Sequence, residues 1–374
     1  MTDYQTGKLH IVHTEASLGW GGQEIRILTE AQGMVKRGHR VTLLCPREAR
    51  IHAAAQERGL PVEALPIGRK RPGGVLVLRR WLIANPADVI NAHSSTDTWL
   101  AALACCFLKN PPPLVRTRHI SAPIPNNRLT RWLYGSATRH IVTAGEALRR
   151  QLIEENGFDA DRITSVPTGI ATDHFVPGDQ AAARASVGLP QGVPLIGIVA
   201  TLRSWKGHSY LIEALDQLKD RNAHLAIVGD GPQRAALEAQ VRRLWLEGRV
   251  WMAGNQPDVL PWLQSLDVFA LSSYANEGVP QALVQAMMTG LACVTTNVGA
   301  ITEAAQEGET ALFVKPRDAD DLARALRRLI GDPALRARLG ERARAHCLRK
   351  FSYDAMLDRM EAIFMTAAQG ENAS

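Results

Sequence analysis

PLIGIVATLRSWKGH, residues 194–208, decides the fold. Residues 194–200 form a short apolar run that reads as a buried strand. A polar loop carrying Arg203 and Lys206 follows, and Gly207-His208 opens a helix that runs through Leu218. Such a run bounded by turn residues marks a strand covered on both faces. The same phrase recurs downstream. Residues 225–228 end in Gly229-Asp230-Gly231-Pro232, and 250–252, 268–271 and 293–295 continue the pattern, each trailed by a helix. It also occurs upstream, where residues 9–14 (LHIVHT), VTLLCP after Gly38-His39-Arg40, 62–65, 88–92 (DVINA), 114–117 and 140–143 are strands separated by helical segments. Strands alternating with helices predict a doubly wound parallel sheet, and the restart at 194 predicts a second one. The expected fold is α/β, with two Rossmann-like domains facing across a cleft.

The polar, turn-rich Pro177-Gly178-Asp179 places the break, giving domains 1–177 and 178–352. A helix over 353–368 carries Met356, Met360, Ile363 and Phe364 at helical spacing, so the segment 353–374 is expected to pack back on the first domain. At 374 residues the chain exceeds one ordinary core, and its 46% hydrophobic content excludes disorder as the theme. The longest apolar stretch, residues 99–108, is too short to cross a bilayer, and the N-terminus shows no apolar signal core. Cys45, Cys105, Cys106, Cys293 and Cys347 form no Cys-x-x-Cys pair and read as buried free thiols in a reducing cytoplasm.

The net charge of +6 is unevenly spread: residues 1–178 hold 22 Lys/Arg against 15 Asp/Glu, and residues 179–374 hold 21 against 22. A basic first half predicts an anionic partner there. The densest cluster, Arg69-Lys70-Arg71 with Arg79, Arg80 and Trp81 beyond it, mixes basic and apolar residues in one short helix suited to an anionic membrane surface. Nucleic acid is not the expected partner, since aromatic residues make up only 5% of the chain and no RNA-binding motif is visible.

Ligands of open parallel sheets bind beyond the carboxyl ends of the strands, and the loops there carry the candidate chemistry. SSYANEGVPQALVQAMMTG, residues 272–290, feeds a helix starting at Gln281 whose free amides suit a diphosphate. Glu277 beside it is a hydroxyl acceptor, as for a sugar or ribose. Arg203 and Lys206 supply cations that would neutralise a leaving diphosphate. In the first half, Gly19, Gly21 and Gly22 let the backbone approach a ligand, but their spacing is not a dinucleotide fingerprint, and Cys45-Pro46 stand where that motif needs an acid. His119 follows the strand LVRTR at a carboxyl edge, suited to a sugar hydroxyl or to proton transfer. His93 holds the equivalent edge after DVINA. Glu303 follows the Val298-Gly299 turn, and Asn255 and Gln256 follow Gly254, where they would sit beside a base. The acids at 159/161 and 318/320 read as helix N-caps rather than metal ligands, and no P-loop is present.

With these residues in place, the chain resembles the retaining glycosyltransferases of family 4, which have the GT-B fold. The resemblance spans nearly the full length: the Gly21-Gly22 loop, RGHRVTLL, VPTGIATDHFVP, LRSWKGH, VGDGP, the Glu277 segment, GAITE and DADDLARAL. It implies transfer from a nucleotide-diphosphate sugar with retention, without an essential metal or cofactor. Gly21 and Gly22 would lie near the donor phosphate and acceptor, Arg203 and Lys206 would hold the diphosphate, and His119 would lie by the sugar ring. Glu277 with the amides of Gly278 and Val279, ahead of Pro280, would meet the donor sugar, and Gln285 the ribose. Gly231, Asn255, Gln256 and Glu303 complete the expected donor site. The chain departs from the family at Gln285, where a second Glu is usual, at Thr201, where an Arg is usual, and at Ala171, where an Asp is usual. The expected acceptor is a glycan or lipid-linked acceptor in lipopolysaccharide or other surface polysaccharide synthesis, reached by a cytoplasmic, membrane-peripheral enzyme. The alternatives are a GT-B epimerase or sugar-phosphate synthase, and a non-catalytic sugar-nucleotide binder.

Overall fold

Residues 7–119, 124–218, 222–275 and 277–370 are described by the computed structural model. Seven strands make the first sheet: β1 (His10–Thr14), β2 (Arg40–Cys45), β3 (Val62–Ala64), β4 (Val89–Ala92), β5 (Leu114–Arg118), β6 (His140–Thr143) and β7 (Ile163–Ser165). Their order is β3-β2-β1-β4-β5-β6-β7, every pairing parallel. Six more make the second: β8 (Leu195–Val199), β9 (His224–Val228), β10 (Val250–Gly254), β11 (Val268–Leu271), β12 (Ala292–Thr296) and β13 (Leu312–Val314), in the order β10-β9-β8-β11-β12-β13, again all parallel. Each sheet grows outward from its first strand in both directions. The chain reverses direction between β1 and β4, and again between β8 and β11. At such a switch point an open parallel sheet takes its ligand at the carboxyl edge.

The central strands are buried from end to end, as helices on both sheet faces require. Val12, Leu44, Ile90, Leu100 and Leu133 anchor the first core, and Ile196, Ile198, Phe269, Leu283 and Leu326 the second. The sequence reading missed β7 and β13. Each is an edge strand of three residues, too short to show a period. Asp159 and Asp318 accept from the amides of Asp161 and Asp321, so these acids are N-caps.

The chain divides into two units between Gly169 and Ile170 and again between Tyr353 and Asp354. The expected break at Pro177-Gly178 is therefore corrected to eight residues earlier. Ile170 pairs with Ser352, its amide donates to the Phe351 carbonyl (2.9 Å), and Phe175 sits in the second core, so residues 170–177 belong to that unit. The helix Tyr353–Gln369 contributes all but its first residue to the first unit. Arg37 pairs there with Asp358 (2.6 Å) and Glu361, and His39 Nε2 meets Glu361 (2.9 Å). Met356, Met360 and Phe364 are buried. A second correction concerns the thiols: Cys45, Cys293 and Cys347 are buried, but Cys105 is half-buried and Cys106 exposed on the helix Ser95–Cys106. Likewise Arg69, Lys70 and Arg71 precede the helix Pro72–Ala84 rather than lying in it.

Candidate active site

In the second unit, the loops after three neighbouring strands, β8, β11 and β12, are bound together at the carboxyl edge. Gly207 makes this possible. Its φ is +74°, and a Cβ there would stand 2.0 Å from the Ser272 carbonyl oxygen. Only glycine lets the β8 loop lie so close to the β11 loop. Ser272 Oγ donates to the Gly207 carbonyl (2.9 Å), and the Tyr274 amide donates to that of Trp205 (2.8 Å). From the β12 side, Gly299 (φ +60°) presses equally close to the Glu277 carbonyl, which accepts from the Ala300 amide (3.1 Å). Thr296 Oγ1 donates to the Ser273 carbonyl (2.6 Å).

These contacts deliver Lys206 to Glu277, Nζ to Oε1 at 2.6 Å. Ser273 Oγ donates to the same oxygen (2.5 Å). The Glu277 side chain is 4% exposed and that of Lys206 is 19% exposed, so this is a nearly buried ion pair with one open side. Both donors share Oε1, and no described residue donates to Oε2. A hydroxyl of a ligand can therefore use Oε2 without breaking the pair. Gly278 and Val279 are half-buried, Pro280 is the extended N-cap residue, and the helix Gln281–Met288 follows. Gln285 lies half-buried one turn into that helix, with no side-chain partner among the described residues.

Arg203 is not gathered with Lys206. Its guanidinium lies over the Trp205 ring (5.4 Å), and it lines a recess of about 90 Å³ with His208, Tyr210, Gln233 and Tyr274. Arg317 packs on Tyr274 (4.1 Å to the ring centre). Gly231 is held by the β8 loop: a Cβ there would meet the Leu202 carbonyl oxygen at 2.8 Å. Asn255 is exposed, and Gln256 Nε2 donates to the Ala253 carbonyl (2.7 Å). Glu303 is half-buried in the short helix Ile301–Ala304, its carbonyl accepting from Lys350 Nζ (2.7 Å).

In the first unit the corresponding edge holds a feature that sequence reasoning only half found. β1, β4 and β5 are neighbours, and each carries a histidine at its carboxyl end: His13 stands one residue before the end of β1, and His93 and His119 directly follow β4 and β5. His13 Nδ1 lies 2.9 Å from His93 Nε2, and His93 Nδ1 lies 3.0 Å from His119 Nε2. The rings stack at centroid distances of 5.2 and 5.3 Å. His93 was noted for its place after β4 and His13 was not, because sheet order, which makes them neighbours, is invisible in the sequence. Burial lowers the pKa of all three, that of His13 to about 4. Arg116 and Arg118 alternate with Thr117 and His119 along β5 and face away from them. There they bind Thr98 and the Tyr134 hydroxyl (2.7 Å).

Glu15, immediately after β1, is fully buried, and its carboxylate accepts from the Ser17 amide (2.7 Å) and from Gln23. Burial, with Asp97 close by, raises its pKa to about 8. Asp97 is itself buried and accepts from Thr14 Oγ1 (2.9 Å) and the His93 amide (2.8 Å), which fixes the backbone that carries His93. Gly21 is extended, and a Cβ there would meet only Glu24, at 3.8 Å, so open space rather than strain surrounds it. Gly22 begins the helix Gly22–Lys36. Among the described residues no group of three or more His, Cys, Asp or Glu is placed to hold a metal ion.

Two family models match the chain: Glycosyltransferase Family 4 over residues 20–174, and Glycosyl transferases group 1 over residues 179–346. The chain is 30% identical to the 2-deoxystreptamine glucosyltransferase of Streptomyces kanamyceticus, over 70% of this chain and 71% of that one. It is 32% identical to a lipopolysaccharide core biosynthesis glycosyltransferase of Rhizobium meliloti, over 48% of this chain and 52% of that one. Its fold matches that of Anabaena HepE, solved with UDP and glucose, at a TM-score of 0.84, with 20% identity over 96% of this chain and 100% of that one.

Proposed function

The chain belongs to family 4 of the glycosyltransferases, with the two α/β units of the GT-B fold, and from that premise we propose that it moves a sugar, with retention, from a nucleotide-diphosphate sugar to a glycan or lipid-linked acceptor. The observation that carries the proposal is the Lys206–Glu277 pair at the head of the helix Gln281–Met288. One cation and the amides at the head of that helix meet the diphosphate, and Glu277 Oε2 meets a sugar hydroxyl. In the reaction the bond from the sugar C1 to the phosphate oxygen breaks. The acceptor hydroxyl oxygen bonds to C1, and its proton passes to the leaving diphosphate. Lys206 and the helix amides stabilise that leaving charge, the work a metal ion performs elsewhere. Gln285 keeps an acceptor for a ribose hydroxyl without a second carboxylate near the phosphates. Gly21, with open space around it, leaves room for the acceptor.

A lipid-linked acceptor on an anionic membrane fits the first unit. The exposed stripe of the helix Pro72–Ala84 presents Leu76, Arg80 and Ile83, and the adjoining helix Ser95–Cys106 presents Leu103, with Phe107 65% exposed at its end. Residues 64–87 and 98–145 contain no Asp or Glu. Exposed apolar side chains among cations suit a phospholipid surface at the cytoplasmic face. A relative acting on lipopolysaccharide core supports the same acceptor class.

The test is a thermal-shift screen across UDP-, GDP-, ADP- and dTDP-sugars, since a ligand of the native state raises its stability by about 2.7 kcal/mol at a hundred times its Kd. One nucleotide sugar is expected to raise the melting temperature of the wild type and to fail with Lys206→Ala. No response to any of them would sink the proposal.

A further inference from the structure

We infer that His13 and His93 are positioning residues that hold the His119 ring neutral with its proton on Nε2, so that Nδ1 meets the ligand as an acceptor for a sugar hydroxyl. Only the identity of that ligand rests on the glycosyl-transfer reading. The tautomer follows from the geometry.

A neutral imidazole has one N–H and one lone pair. Two nitrogens 2.9–3.0 Å apart must offer one hydrogen between them, so each contact in the row pairs a donor with an acceptor. Only two assignments satisfy both contacts: every ring carries its proton on Nε2, or every ring carries it on Nδ1. A mixed row sets two hydrogens or two lone pairs against each other. The three rings therefore act as one unit, and whatever fixes His13 at one end fixes His119 at the other.

The far end breaks the tie. His13 Nε2 is buried and has no hydrogen-bond partner among the described residues. Its ring stands perpendicular to that of Phe364, at 6.2 Å between centres. A ring face accepts an N–H weakly and offers nothing to a lone pair, and the perpendicular arrangement lets Phe364 serve as that face. The row therefore settles with the proton on His13 Nε2, then on His93 Nε2, then on His119 Nε2. That leaves the lone pair of His119 Nδ1 outside the row.

Charged neighbours oppose any imidazolium. Arg26 on the helix Gly22–Lys36 and, through β5, Arg116 and Arg118, whose side chains lie on its other face, all lower the pKa of the row by their charge. Glu30, which pairs with Arg26 (3.7 Å), gives its other oxygen to Asn91 Nδ2 (3.2 Å), and among the described residues it makes no contact with the histidines. Phe364 closes the His13 side. His119 thus recognises a hydroxyl hydrogen and repels a bare phosphate oxygen, which separates the sugar from its leaving group.

The test is long-range 1H–15N spectroscopy of the full chain with 15N-labelled histidine, from pH 5.5 to 8. In the wild type, His119 is expected to show a protonated Nε2 and a bare Nδ1 throughout. His93→Gln keeps an acceptor for His119 and a donor for His13 and is expected to preserve that pattern. His93→Phe keeps the ring shape and removes both contacts. In it, His119 is expected to mix tautomers, with a proton appearing on Nδ1, while burial and the nearby arginines keep the ring neutral. A proton on Nδ1 of wild-type His119 would overturn the inference, and so would a His93→Phe protein whose His119 signals match the wild type. If His93→Phe does not fold, the wild-type spectrum still decides. The spectra need no donor, so a chain without turnover would sink the proposed function and leave this result standing.

Discussion

Replacing Lys206 by Met separates what the Lys206–Glu277 pair does for folding from what it does for transfer. Met has similar length and no charge, so the substitution strands the Glu277 carboxylate, 4% exposed, with Ser273 as its remaining donor. Removing one partner of a buried pair costs about 3–5 kcal/mol. Lys206 is 19% exposed and water reaches its side of the pair, which argues for about 2–3 kcal/mol here. In a unit of this size that lowers the melting temperature by about 4–12 °C. Glu277→Gln leaves an ammonium that water can solvate, and should cost only about 1 kcal/mol. The double variant removes both charges and is expected to regain most of the lost stability. Turnover should behave differently. Each single variant is expected to lose roughly 100-fold or more, because each removes a group that meets the donor, and the double variant should recover none of it. Calorimetric melting and release of nucleoside diphosphate read the two effects on the same samples. A double variant that regains turnover, or a Lys206→Met protein that melts with the wild type, would refute the reasoning.

Gly299→Ala must push a methyl into the Glu277 carbonyl at φ +60°, so it should cost about 1–2 kcal/mol in backbone strain alone and raise KM for the donor by displacing Glu277. Stability should depend on pH with two opposite limbs. His13, held at about 4 in the fold against an ordinary 6.5, withdraws stability as pH falls below about 6.5, and His13→Phe should flatten that limb. Glu15, raised from 4.5 to about 8, contributes stability while protonated and loses it as pH climbs through that interval, so Glu15→Gln should flatten the alkaline side in denaturant titrations. Leu76→Asp with Ile83→Asp should abolish co-sedimentation with phosphatidylglycerol vesicles while leaving the melting temperature within about 2 °C, since both side chains are 55% exposed. Retained binding would remove the membrane surface from the proposal.

How much of this was legible in the sequence depended on whether a signal was local. The strands at 10–14, 195–199 and 268–271 announced themselves as apolar runs between turns, and the loop chemistry of Lys206 and Glu277 lay in view beside them. That Lys206 and Glu277, 71 residues apart, would share an ion pair required knowing that β8 and β11 are neighbours. The histidine row needed the same knowledge for β1, β4 and β5. That the Arg203 guanidinium lies over Trp205, two residues on, was not legible, because a loop position says nothing about side-chain direction. The unit boundary was misplaced because a Pro-Gly turn looks like a linker, whereas the bridge from Ile170 to Ser352 depends on residues at the other end of the chain.

The helix Tyr353–Gln369 has a consequence for biosynthesis. A ribosome releases the first unit's seven strands long before it makes Met360 and Phe364, which close that unit's interior beside Arg26 and His13. The leading half of the polypeptide must wait, with Arg26 and its histidines unsealed, until the trailing half has been synthesised. A nonsense codon between residues 354 and 360 would therefore leave the more recently made half intact and cripple the one finished first.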